Sequence, residues 1–118
     1  MRKWLFAAII AGCAAAPANA TWVTGNDLLR MCESDKMADY AVCDGYITGA
    51  LDMITSMESA KVVPPGFKPA VRSSVTVSQV RLIVLNYLKS HPQMLDSSAS
   101  GLVFIAVRDA FGSDAQPK

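Results

Sequence analysis

The stretch CDGYITGALD, residues 43–52, decides how this chain is read. It holds a cysteine, two glycines four apart, a tyrosine and two aspartates, a mixture that could serve a reactive centre or plain architecture. Laid on a helix at about 100° per residue, Cys43, Tyr46, Ile47, Ala50, Leu51, Ile54 and Met57 share one broad apolar face. Asp44, Thr48, Asp52, Thr55 and Ser59 fall on the opposite, wet face. Gly45, Gly49, Ser56 and Ala60 make a narrow strip of small residues between the two. Glycine inside a helix costs about 1 kcal/mol relative to alanine, so two on one strip imply close helix packing at Gly45 and Gly49. The two aspartates lie about two turns apart, face water and have no histidine near them, which speaks against a metal site. The stretch therefore reads as a core helix, stapled at its start through Cys43 and notched for a neighbouring backbone.

Working outward, this helix runs from about Asp39 to about Ser59, after the polar connection SDKMAD at 34–39. Before it, Asn26 is placed to cap a short helix over Asp27 to Glu33, with Asp27 at the positive end. After it, KVVPPGFKPAVRSSV at 61–75 breaks the pattern with three prolines and a Pro-Gly turn signal. Thr76 and Gln79 form a capping box that opens a third helix. That helix ends near Ser90, because Pro92 disfavours helix at His91. Asp96 or Ser97 opens a fourth, which lasts to about Phe111 and stops at Gly112. No segment reads as a strand. The expected fold is all-α, a small compact bundle of about four helices in one domain with one disulfide.

The chain has 118 residues, and residues 1–20 read as a signal peptide. MRK is followed by an apolar run too short to span a bilayer, then by APANA with small residues at Ala18 and Ala20, which predicts cleavage after Ala20. The domain is then 21–118, exported to the periplasm. A rival reading takes Ile10-Ala11-Gly12-Cys13 as a lipobox, which would make the protein a lipoprotein anchored at Cys13. Export makes Cys32 and Cys43 an even pair in an oxidising compartment, so a disulfide between them is expected, worth roughly 3 kcal/mol for a loop of this length.

Removing Arg2 and Lys3 leaves nine basic residues against ten acidic ones, a charge of −1 that argues against nucleic acid or an anionic membrane as partner. The charges are segregated. Asn26 to Glu58 holds seven acids and two bases, whereas Ser59 to Leu95 holds five bases and no acid. Either the two segments lie side by side and neutralise each other, or a basic surface is offered to a partner.

No catalytic, cofactor-binding or metal-binding residues emerge, and the chain is not expected to be an enzyme. His91 is the single histidine, placed beside Pro92 at a helix end, where a cap is its natural role. There is no nucleophile elbow and no glycine-rich phosphate loop. On the third helix Val77, Val80, Ile83, Val84, Tyr87 and Leu88 form the core-facing stripe. Leu82 and Leu85 point away from it among Ser78, Arg81 and Lys89, which suggests either self-association as a homodimer or cover by the fourth helix or a loop. In the preceding loop Phe67 sits on a proline-stiffened turn with Lys61, Lys68 and Arg72 around it, either a preorganised anchor for a protein partner or a plain connector whose phenylalanine tucks into the core. The acidic face of Asp44, Thr48 and Asp52 is the next candidate surface.

Four blocks in order, CDGYITGALD with Cys32 before it, VTVSQ at 75–79, YLKSHP at 87–92 and ASGLVFIAVRDAF at 99–111, resemble the Rap/Tai family of immunity proteins. The resemblance implies a small helical periplasmic protein, commonly a dimer, that binds and blocks a peptidoglycan amidase delivered by type VI secretion. The chain departs from the family pattern in one place. Members typically carry a second disulfide joining the loop before the third helix to a cysteine just after the terminal Ala-Phe. Here the loop has no cysteine and Ala110-Phe111 is followed by Gly112-Ser113, so the loop is expected to be untethered. The alternative function is a small helical periplasmic chaperone of the HdeA-like acid-stress type.

Overall fold

Thr24 and Asp27 open the first helix. In the computed structural model, which describes residues 22–113, the Asp27 N–H donates to the Thr24 hydroxyl and the Thr24 N–H donates back to the Asp27 carboxylate. This capping box starts α1, Gly25–Glu33. The same Thr24 backbone and hydroxyl hydrogen bonds hold the Asp27 carboxyl below its ordinary range. Asn26 is thus not the cap. Its N–H donates to the Leu95 carbonyl at 2.9 Å and its side-chain amide to Asp96 at 3.1 Å, so it is committed to a distant segment.

The second helix, α2, spans Met37–Ser59 and begins slightly earlier than expected. The Ser34 hydroxyl accepts from the Lys36 N–H and donates to Asp39, which folds the connection straight into the helix. The third, α3, spans Val77–Ser90 behind the expected Thr76 and Gln79 box. A short 3-10 turn, Pro92–Met94, follows. The fourth, α4, is Ala99–Phe111. It starts later than the polar residues at 96 and 97 suggest. Residues 95–98 instead run beside the start of the chain, with an antiparallel bridge between Thr24 and Ser98. Ala99 donates to Val23 and Gly25 to Ser97 across the same crossing.

Every pair among the four helices packs. The core is made by Leu28 and Cys32 of α1, Cys43 and Ile47 of α2, Val80, Val84 and Leu88 of α3, and Ala99, Leu102, Val103, Ala106 and Val107 of α4. Burial of these side chains is the main stabilising term. The helix that contributes most is α4, whose buried residues Ala99, Leu102, Val103, Ala106 and Val107 recur three and four apart. Cys32 and Cys43 are joined as a disulfide with Cα atoms 5.1 Å apart, fastening α1 to α2. The expected cleavage after Ala20 and the alternative anchor at Cys13 lie outside the described residues.

Three expectations about side chains are corrected. Gly45 and Gly49 are not a packing notch among the described residues, since a Cβ at either would meet none of them within 4 Å. The close-packing glycine is Gly25, where a Cβ would lie 2.6 Å from a Leu102 methyl and 3.0 Å from the Leu95 backbone. Arg81 does not stand on the polar side of α3. It is buried between helices, paired with Asp44 and laid over the Tyr40 ring at 3.7 Å. Asp44 therefore leaves the wet face assigned to it. With Lys89–Glu33 at 3.2 Å, this pair shows α3 neutralising acids of α1 and α2.

Candidate partner-binding surface

The segment between α2 and α3 leaves the helix at Lys61, whose φ of 58° is left-handed, and turns again at Gly66 with φ 79°. Phe67 donates to the Pro64 carbonyl at 3.2 Å, closing the proline turn. The Glu58 carboxylate accepts from the Lys68 N–H at 3.1 Å. Ala70 donates to the Gly112 carbonyl at 2.9 Å, and Pro69 bridges to Ser113. The Phe67 ring stacks on Phe104 of α4 with centroids 4.8 Å apart, and the Arg108 guanidinium sits 5.5–5.7 Å from the two rings.

These ties correct the expectation of an untethered loop. They join the loop to the end of α4. Gly112, with φ 74°, is the residue that lets the chain turn back there after α4.

The four loop residues singled out from sequence separate into two kinds. Lys61 and Arg72 are exposed, next to exposed Val62, Pro64 and Pro65. Phe67 and Lys68 are half-buried and engaged with the fold. Phe67 is thus a clasp that holds the loop's shape. Leu82 and Leu85 also separate: Leu82 is 56% exposed, while Leu85 is half-buried against the core.

A groove of about 290 Å³ runs between the loop, α2 and the beginning of α3. Ile47, Leu51, Val71, Val75 and Val80 supply apolar walls, and Val77, expected in the core, stands 45% exposed at the mouth. Thr48, Asp52 and Thr55 line the α2 side and Lys68 the loop side. The four acids of α2 are not equivalent. Asp39 accepts from Ser34, Asp44 pairs with Arg81, and Glu58 accepts from Lys68. Asp52 is exposed and has no hydrogen-bond or ion-pair partner among the described residues. Sequence reasoning missed this groove because its walls come from three separate segments. The available signal was the surplus of valines at 71, 75 and 77 around a proline-rich loop.

At the far end of α3, the His91 ring nitrogen Nδ1 lies 2.8 Å from the Tyr87 carbonyl and the two rings stack at 4.0 Å, which is a helix cap. Among the described residues no group of three or more His, Cys, Asp or Glu could hold a metal ion. No helix among them is long and apolar enough to cross a membrane. What the surface offers is a held loop, exposed bases and an apolar groove, the components of a protein-binding face.

No curated protein and no solved structure matches the chain. One family model, described as Rap1a immunity proteins, matches residues 24–112, from the cap of α1 to the residue after α4.

Proposed function

The chain belongs to the Rap1a immunity protein family, and from this membership we propose that it is a periplasmic immunity protein that binds and inhibits a type VI secreted peptidoglycan amidase. Its action is stoichiometric binding. The observation that carries the reading is the family match over the whole helical domain, joined to a loop whose shape is held before any partner arrives. A preorganised loop loses less conformational entropy on binding, so more of its contact energy appears as affinity. In this reading Lys61 and Arg72 meet the amidase, and Phe67 and Lys68 keep the loop in position to do so. Export through the signal peptide brings the protein to the compartment where the amidase acts. The same reading includes a homodimer through the exposed Leu82. Family membership favours it over the acid-stress chaperone.

The test uses the purified mature chain and a type VI secreted peptidoglycan amidase from the same cell. Peptidoglycan hydrolysis should fall linearly with added protein and stop near a one-to-one ratio of sites. Arg72→Ala with Lys61→Ala should weaken inhibition without changing the melting temperature. Full hydrolysis at a large excess of the protein would reject the reading.

A further inference from the structure

We propose that the groove between α2, the loop and the start of α3 receives an apolar side chain of the effector that is flanked by a lysine or arginine. The proposal rests on the immunity reading and assigns it a second contact surface, distinct from the loop's exposed bases. Three observations carry it. The groove is apolar inside, through Ile47, Leu51 and Val80, and open to solvent, with Val77 exposed at its mouth. Its volume of about 290 Å³ has room for an anchoring side chain. Its α2 rim carries Asp52, the one acid of that helix without a structural contact among the described residues.

An exposed carboxylate alone is at home in water. Beside an apolar groove it selects by sign: on the α2 side a base next to the anchor gains a charge-assisted hydrogen bond, whereas an acid is repelled, and Lys68 across the groove is already engaged. The wall opposite α2 is the loop itself, held by Ala70–Gly112 and the Phe67–Phe104 stack. The groove is thus continuous with the loop proposed to meet the amidase, and one partner can cover both.

The experiment is calorimetric titration of the purified amidase with wild type, Asp52→Lys, Thr48→Trp and Asp52→Glu. Thr48 and Asp52 are both exposed on α2, so circular dichroism melts of the variants should match wild type. Asp52→Lys reverses the rim charge and Thr48→Trp fills the groove, and each should weaken binding about tenfold or more. Asp52→Glu keeps the charge and should bind within about threefold of wild type. Lys and Trp variants that bind like wild type would overturn the groove while leaving the immunity reading intact. A wild type that does not bind the amidase would overturn both. Sedimentation of the chain alone is the control on the occupant: if Asp52→Lys dissociates a wild-type dimer, the groove holds a second copy and the proposal is wrong.

Discussion

A methyl group added at Gly25 would strike Leu102 and the backbone of Leu95, whereas one added at Gly49 would meet nothing within 4 Å. Gly25→Ala should therefore destabilise by about 1–3 kcal/mol, the usual cost of overpacking, because the Leu95 backbone 3.0 Å away cannot move aside as the Leu102 methyl can. Gly49→Ala should stabilise by up to about 1 kcal/mol, because it removes glycine's entropic penalty from an exposed mid-helix position. Two thermal melts check the pair, and a lowered melting temperature for Gly49→Ala would contradict the placement of that strip. The contrast also shows what could be read from the chain. A glycine's spacing within its own helix is visible in sequence. The backbone that crosses Gly25 comes from residue 95, and nothing near position 25 announces it. Arg81 failed to declare its burial for the same reason, since the groups that make burial tolerable, Asp44 and Tyr40, sit on another helix.

Elements were legible where their signals are local. The Thr76 and Gln79 box, the stop at Ser90 and the end of α4 at Gly112 all follow from residues within a turn of the boundary. The starts of α1 and α4 were displaced together, because residues 23–26 and 95–98 pair with each other and neither segment could know of its partner. The face of α3 was half legible. Leu82 is exposed as its period requires, but Leu85 reaches back to the core. The proposed homodimer through α3 is thus tested by separating the two. Leu82→Ser should convert the proposed dimer to a monomer in sedimentation, with a melting temperature that no longer depends on protein concentration. Leu85→Ser should lower the melting temperature, because it places a hydroxyl against the core. A dimer that persists in Leu82→Ser would place self-association elsewhere.

On the scale of the whole molecule, the chain spends one covalent link and several weak ones on the same task. The disulfide fastens α1 to α2, and the Phe67–Phe104 stack with the Ala70–Gly112 hydrogen bond fastens the loop to the end of α4. The disulfide could be read from the even pair Cys32 and Cys43. The non-covalent clasp could not, since aromatic stacking has no fixed spacing. A bundle closed in this way has a fixed surface to offer a partner, which is what inhibition by binding demands. In the proposed function this surface neutralises a secreted cell-wall amidase in the periplasm. The direct measurement is survival of cells that express that amidase in the periplasm, with and without the full exported chain. Cells carrying the chain should keep growing while those lacking it, or carrying it without residues 1–20, should lyse. Lysis at the same rate despite verified export of the intact chain would contradict the account.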